Sequence, residues 1–472
     1  MTRVHTLSNG VRVVADPLPG LKTFALTVAV RGGARWEDEH RSGWSHLLEH
    51  LVFKGAGEMS ARDIVQRIEA EGGSINAATG QERTSFEVRA MERSLPLAMQ
   101  VVSDLVFRPT LSEVEITREK DVVAQEIAEA FDTPDDHVFE MAGEQAFSGQ
   151  PLGRPILGSV DSIGRADRAG MEAWRATLYA PERMVVAVSG AVDEARLIDL
   201  AEAWFGRAAS KPGQEPEPAA FVGGDAALTR RIEQANLVFE IPGLSAHDVD
   251  TPALRLFGEI LGGGMASRLF QSAREDRGLA YAVDAWFEGY EDTGVLGIYA
   301  GAAPGRSEEL ARVAAAELRT LAREGPTAEE LARAKAVLSA SLWMADESLV
   351  SRAGRNAAQT LLYGAPVPSE TLTARVEAVT EDDMRRLGAR LLTPARSATA
   401  VLGPRAAASA KTRYKPPWPF WTGCRNRSAP CCGARGLSCA RPMPPITPPG
   451  RPCGACPAAI SSRGSPPGPR TT

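Results

Sequence analysis

His46, Glu49 and His50 are the residues whose types and spacing most directly suggest chemistry. In a helix, residues four apart project from one face, so the two imidazoles could grip one metal ion. The carboxylate of Glu49 lies beside them and could act as base for a metal-bound water. The alternative is an amphipathic helix that happens to carry two histidines, since H-x-x-E-H arises by chance in about one such chain in a hundred. The motif therefore needs corroboration elsewhere in the chain.

A second helix could supply a further ligand. Ser112 followed by Glu115 predicts the start of a helix that runs to about Phe131. Within it Glu119 and Glu126 are seven residues apart, hence nearly superimposed in helical projection, and they border an apolar stripe. Taken alone, they favour a salt-bridged surface pair. Together with the two histidines, they are better explained by a metal-bound carboxylate, because an unpaired buried charge is costly.

The chain is predicted to fold as two homologous α+β halves, each a mostly antiparallel sheet packed with helices on one face. Residues 206–224, rich in Pro and Gly, are interpreted as a linker between an N-terminal domain at 1–205 and a C-terminal domain at 225–403. Alternating apolar residues at 24–30 predict a half-buried strand. Residues 404–472 lack sustained periodicity and are predicted to be disordered. Our hypothesis is that this tail is frame-shifted or otherwise non-native.

The second half repeats the helix pattern of the first without its reactive groups. Opposite Glu119 and Glu126 stand Ala334 and Ser341. The stretch opposite the two histidines, residues 255–259, contains no histidine. Folding of the second copy did not require acidic and imidazole groups at these positions, so their presence in the first half argues for chemistry.

Composition excludes several classes of partner and site. A net charge of −6 provides no basic field for nucleic acid. No run approaches 18 apolar residues, and the N-terminus lacks the apolar segment of a secretory signal, so no membrane association is expected. All six cysteines fall at 424–456, which excludes a thiolate metal site in the body of the chain. Abundant Arg and Ala favour a GC-rich bacterial source, and the expected compartment is the bacterial cytoplasm.

The chain resembles the insulinase/pitrilysin zinc peptidases, in the branch of mitochondrial and bacterial processing-peptidase-like proteins. The resemblance covers roughly residues 3–405, and the spacing from His50 to Glu126 also fits the third ligand of that family. It rests on several motifs in the family's order: 43–50 (GWSHLLEH) with 53–55 (FKG), 72–77 (GGSINA), Glu119 and Glu126, 151–158 (PLGRPILG), and 269–281 from Leu269 through Arg274 to Tyr281.

The resemblance implies one zinc ion per chain, held by His46, His50 and Glu126 with a fourth position left for water. Glu49 would take a proton from that water and later pass it to the leaving amine. Glu119 would orient a ligand or a water. Loss of such a residue typically lowers metal affinity or activity about 10–100-fold.

The resemblance also implies residues that bind substrate. Arg274 and Tyr281 would hold the substrate carbonyl and stabilise the developing oxyanion. By spacing alone they are better read as a surface arginine and a core tyrosine. The strand around Asn76 and Ala77 would be the edge to which a peptide adds as an extra strand.

The implied function is zinc-dependent endopeptidase cleavage of short or unstructured peptides. The family's chains pair to form a chamber, so a homodimer, or a heterodimer with a related chain, is expected. A catalytically inactive scaffold or assembly subunit of the same fold is the alternative from another class. A third possibility is a chain inactivated by its abnormal tail.

Overall fold

The structure, a computed structural model, describes residues 2–209, 213–393 and 396–404. The predicted disordered tail at 404–472 lies outside the described residues, apart from Pro404. Two large sheets dominate the molecule, one formed by the first half of the chain and the other by the second half. Every helix among the described residues is too short or too polar to span a lipid bilayer.

The first half of the chain forms eight strands: β1 (Arg3–Thr6), β2 (Arg12–Pro17), β3 (Thr23–Arg31), β4 (Gly55–Ala56), β5 (Met59–Ser60), β6 (Ser74–Thr79), β7 (Arg83–Met91) and β8 (Met184–Gly190). The first sheet has the strand order β1-β2-β8-β3-β7-β6. Neighbouring strands are antiparallel except β2 and β8, which run parallel. A small hairpin of β4 and β5 follows the first helix.

The second half forms five strands: β9 (Gly224–Thr229), β10 (Ala235–Pro242), β11 (Ala280–Gly289), β12 (Gly294–Ala302) and β13 (Ala398–Gly403). They form a sheet of the order β9-β13-β10-β12-β11, in which only β9 and β13 are parallel. Strand for strand, this is the arrangement of β2-β8-β3-β7-β6 in the first sheet. The predicted pair of mostly antiparallel α+β halves is therefore confirmed.

The helices follow the same duplication. Helices α4 (Glu113–Asp132) and α5 (Pro134–Ala146) have counterparts that begin 215 residues later, α11 (Ala328–Asp346) and α12 (Leu349–Tyr363). The helices of the first half are α1 (Trp44–Val52), α2 (Ala61–Ala70), α3 (Leu95–Phe107), α4 (Glu113–Asp132), α5 (Pro134–Ala146), α6 (Val160–Gly164), α7 (Arg168–Leu178) and α8 (Glu194–Trp204). Those of the second are α9 (Thr251–Gly262), α10 (Ser307–Glu324), α11 (Ala328–Asp346), α12 (Leu349–Tyr363), α13 (Ser369–Glu377) and α14 (Glu381–Leu392).

One helix of each half packs on the sheet of the other half. Helix α12 covers the remaining face of the first sheet at β3 and β8, and α5 covers the corresponding face of the second sheet at β10 and β13. Strand β3 is consequently buried on both faces, because Ala29 lies under α12 while Val28 and Val30 face the main core.

A buried ion pair fastens α12 to the first sheet. Arg352 donates to both carboxylate oxygens of Asp16, with Nε–Oδ2 at 2.9 Å and Nη2–Oδ1 at 3.0 Å. Asn356 and Ser189 also donate to Asp16 Oδ2. Since the carboxylate is almost fully buried, each of these bonds replaces water that folding removed.

Candidate metal centre

Helix α1 carries His46, Glu49 and His50 and starts at a tight turn. Gly43, the residue before it, has a φ of 88°, and a Cβ at this position would lie 2.4 Å from the carbonyl oxygen of Leu157. Only glycine fits such a conformation and such a close approach. The leucines of the helix are buried in the core of the first half, and α1 also contacts α4.

Glu126 on α4 brings its carboxylate to the two imidazoles. Its Oε2 lies 3.5 Å from Nε2 of His50 and 3.8 Å from Nε2 of His46. One ligand atom from each of the three residues lies within 4.8 Å of the others. Donors bound about 2.1 Å from a tetrahedral zinc ion are about 3.4 Å apart, so the two distances to Glu126 are close to those of a zinc site. Two imidazoles and one carboxylate are also the donor set of catalytic zinc sites.

Glu119 lies two helical turns before Glu126 and contacts the other ring nitrogen of His50. Its Oε2 lies 3.1 Å from Nδ1 of His50, and its Oε1 forms an ion pair with Lys54 Nζ at 2.9 Å. Only 3% of Glu119 is exposed. The carboxylate favours the tautomer in which Nδ1–H donates, and this leaves the Nε2 lone pair of His50 for a metal.

The surroundings of His46 keep it in the form that binds metals. Burial, together with the nearby His50, lowers the pKa of His46 to about 4. The imidazole is therefore neutral at pH 7, as a ligand must be. Its Nδ1 is buried and has no hydrogen-bond partner among the described residues.

Glu49 lies next to these ligands on α1 with one oxygen uncommitted. Burial raises the pKa of Glu49, and hydrogen bonds from the side chain and backbone of Thr79 act in the opposite direction. Its Oε2 is buried and has no partner within the part of the chain described. A raised pKa and a free oxygen are the properties of a general base that works near neutral pH.

Asn76 and Ala77 lie on β6, an edge strand of the first sheet. β6 pairs with β7 on one side, and no strand of the described residues pairs with its other side. Ala77 packs toward the core of the first half and Asn76 is exposed. Thr79 ends this strand, and its side chain and backbone act on the pKa of Glu49, so the open edge leads to the candidate base.

Arg274 and Tyr281 belong to the second half and are not among the residues gathered at the centre. Arg274 lies in a short π-helical turn, with its guanidinium 4.6 Å from the ring centroid of Phe270. Tyr281, at the start of β11, is 69% exposed. The opposite end of β11 meets the first half, where the Glu291 backbone N–H donates to Glu82. Since a strand rises about 3.3 Å per residue, Tyr281 lies roughly 26 Å along β11 from Gly289, the end of the strand that is close to that contact.

Three residues at the centre were missed by the sequence analysis. Lys54 forms an ion pair with Glu119, and Thr79 acts on the pKa of Glu49, as described above. Glu37 binds the start of α1, accepting hydrogen bonds from the backbone N–H groups of Gly43 and Ser45. Lys54 stands in a motif that was recognised, but no spacing rule connects Glu37 or Thr79 with the histidines.

Comparisons with known proteins identify the family. A family model described as "Insulinase (Peptidase family M16)" matches residues 12–160, and one described as "Peptidase M16 inactive domain" matches residues 165–338. The chain belongs to the M16 peptidase family. All residues of the candidate centre lie within the first matched range, whereas Arg274 and Tyr281 lie within the second.

Curated relatives of this M16 chain cover most of its length. An uncharacterized zinc protease of Streptomyces coelicolor is 33% identical over 411 residues, which is 85% of this chain and 89% of the relative. The uncharacterized zinc protease YmxG of Bacillus subtilis is 32% identical over 397 residues, or 83% and 96% of the two chains.

Solved structures share the fold of this M16 chain. A protease from Helicobacter pylori superimposes with a TM-score of 0.79 at 23% identity, covering 86% of this chain and 100% of that one. A chain of complex III2 from Candida albicans gives a TM-score of 0.77 at 18% identity, with 88% and 98% covered. At these identities the likeness concerns the fold alone.

Proposed function

We propose that this protein is a zinc-dependent endopeptidase that hydrolyses short or unstructured peptides. The observation that carries the proposal is the convergence of His46, His50 and Glu126, with a free carboxylate oxygen of Glu49 on the same helix. The names of the curated relatives, zinc proteases, point to the same chemistry. Zinc, when bound, lowers the pKa of water towards neutrality and polarises a peptide carbonyl.

The side chains of the centre have distinct tasks in this proposal. His46, His50 and Glu126 hold the metal, and Glu119 keeps His50 in the binding tautomer. Glu49 accepts a proton from the attacking water at Oε2 and later delivers it to the amine of the leaving peptide. Thr79, whose side chain and backbone act to lower the pKa of Glu49, would orient its carboxylate.

Peptide substrates are proposed to bind at β6 as an additional antiparallel strand. Backbone pairing with the strand of Asn76 and Ala77 would accept varied sequences, provided that the peptide can become extended. A folded protein cannot offer such a segment without local unfolding. This supports short or unstructured peptides as the substrate class.

We further propose that a second chain completes the site. Tyr281 lies at the end of β11 that is remote from the first half, which supports supply of Arg274 and Tyr281 by a partner chain. There they would stabilise negative charge on the carbonyl oxygen. A homodimer meets this requirement, because each chain carries both the metal residues and the Arg/Tyr pair.

Glu49→Gln tests the proposal, because it removes the base while preserving shape and the metal donors. We expect native and variant protein to bind zinc equally and the variant to cleave an unstructured peptide at least about 100-fold more slowly. Glu129→Gln, an exposed position on α4, is the matched control and should retain full activity. Zinc binding by the native protein without Glu49-dependent cleavage would instead favour the inactive scaffold.

A further inference from the structure

Glu37 holds the first turn of the helix that carries the metal residues. The carboxylate accepts at both oxygens, Oε2 from Gly43 N–H at 2.7 Å and Oε1 from Ser45 N–H at 2.6 Å. Ser45 directly precedes His46. Glu37 is only 2% exposed, and the positive charge of Arg154 also acts on its carboxylate. The two N–H groups at the positive end of α1 are its hydrogen-bonded counterparts.

The helix cannot supply this cap itself. Its N-cap residue is Gly43, which has no side chain to accept a hydrogen bond. A side chain at that position would collide with the Leu157 carbonyl oxygen, at 2.4 Å from the Cβ. The acceptor therefore comes from six residues upstream, and it occupies two N–H groups where an ordinary N-cap occupies one.

Glu37 is itself anchored on both sides. Arg154 donates to its backbone carbonyl oxygen. Two residues earlier, Arg35 pairs with Glu82, in the turn between β6 and β7, and with Asp292 of the second half. The carboxylate is thus a fixed point of the fold against which α1 is held.

We propose that Glu37 is a positioning residue for the metal centre, an inference that rests on the proposed metallopeptidase function. Two hydrogen bonds to one planar carboxylate fix both the rotation of α1 about its axis and its axial position. Imidazole nitrogens lie roughly 6–7 Å from the axis, so a rotation of about 20° moves them by about 2 Å. Metal–ligand distances tolerate only about 0.2 Å. Glu37 therefore sets where His46, Glu49 and His50 meet Glu126.

Glu37→Gln tests this, since the amide keeps the shape of the side chain but accepts at one oxygen only. With Zn2+ alone as probe, titrated against a competing chelator, we expect the dissociation constant to rise about 10-fold. At saturating zinc we expect a fall in kcat with little change in KM. Glu37→Asp, which keeps the charge but is too short to reach both N–H groups, should shift zinc affinity in the same direction.

Asp193→Asn is the matched control. Asp193 caps α8 by accepting from Arg196 N–H at 2.8 Å, and α8 carries none of the metal residues. We expect this variant to lose thermal stability while zinc affinity and kcat stay native. If the Glu37 variants also lose only thermal stability, the positioning role is refuted. If native protein binds zinc but cleaves no peptide, the proposed function fails, while the zinc affinities still decide the role of Glu37.

Discussion

His50 and Glu119 lie on different helices and are joined by a 3.1 Å contact between Nδ1 and Oε2. The contact orients an imidazole whose other nitrogen faces Glu126. We predict that Glu119→Gln weakens zinc binding about 10–100-fold, because an amide oxygen is a poorer acceptor for the Nδ1–H. Competition between protein and chelator for Zn2+ measures this. The control Glu115→Gln, in the first turn of the same helix, should bind zinc with native affinity.

A substitution at Glu126 removes a metal ligand and leaves the candidate base, Glu49, unchanged. We predict that Glu126→Gln loses stoichiometric zinc, because the carboxylate is the single anionic donor of the cluster. The zinc content of the protein is measured after dialysis against metal-free buffer. Retention of one zinc per chain would show that the three residues do not form the site, whereas Glu129→Gln should leave the metal content unchanged.

Mixing two inactive variants tests whether the site is shared between chains. Glu49→Gln disables the metal half and Tyr281→Phe disables the proposed oxyanion donor. If a partner chain supplies Tyr281, mixed dimers contain one intact site out of two, and equal mixing should restore about a quarter of native activity. Activity is assayed after subunit exchange. Absence of any recovery, with mixed dimers demonstrated by differential tagging, would place both residues in a site formed by one chain.

The ion pair between Asp16 and Arg352 is predicted to hold the exchanged helix in place. Arg352→Leu leaves a buried carboxylate unpaired and should lower the free energy of unfolding by about 3 kcal/mol. Arg306→Leu, which removes an exposed pair with Glu309, should cost less than about 1 kcal/mol. Denaturant titration compares them.

The ion pair between Asp16 and Arg352 makes the free energy of unfolding depend on pH. Hydrogen bonds and charge from Arg352 outweigh burial and lower the pKa of Asp16. Its stabilising contribution is therefore complete above the pKa of the unfolded chain and is lost as pH falls through the lower folded value. The cost of Arg352→Leu should shrink accordingly in acid, and a cost independent of pH would contradict this assignment.

Glu240 should act in the opposite direction. Burial and the nearby Glu288 raise the pKa of Glu240 to about 8, against 4.5 for an ordinary glutamate. The folded state then holds a proton that the unfolded chain releases, so stability falls as pH rises from about 4.5 to 8. We predict that Glu240→Gln raises the Tm relative to native protein at pH 8 and has little effect at pH 4.5. Thermal melts across this range decide, with exposed Glu144→Gln as control.

The sequence was most informative where chemistry imposes spacing. His46 and His50 had to share a helix face, and the copy of the motif in the second half lacked both, so the candidate ligands could be selected before any coordinates. The homologous sheets were predictable because strand and helix periodicities recur along the chain, with α11 and α12 following α4 and α5 at a constant interval.

Relationships between distant segments could not be predicted from the sequence. Segment 24–30 was predicted to be half-buried, and this was wrong, because α12 of the other half covers its second face. No local sequence pattern predicts that a helix of one half covers the sheet of the other. Glu37 escaped notice for a related reason: its role depends on the path of the chain before α1, which a Gly43 turn and the close approach of Leu157 determine.

The most direct test of the account is a zinc titration of metal-free protein while hydrolysis of an unstructured peptide is followed. His46, His50 and Glu126 form a single cluster in the described part of the chain, so activity should rise linearly and break at one zinc per chain. The products should carry new termini inside the peptide. Full zinc occupancy without cleavage, or cleavage that is independent of zinc, would contradict the account.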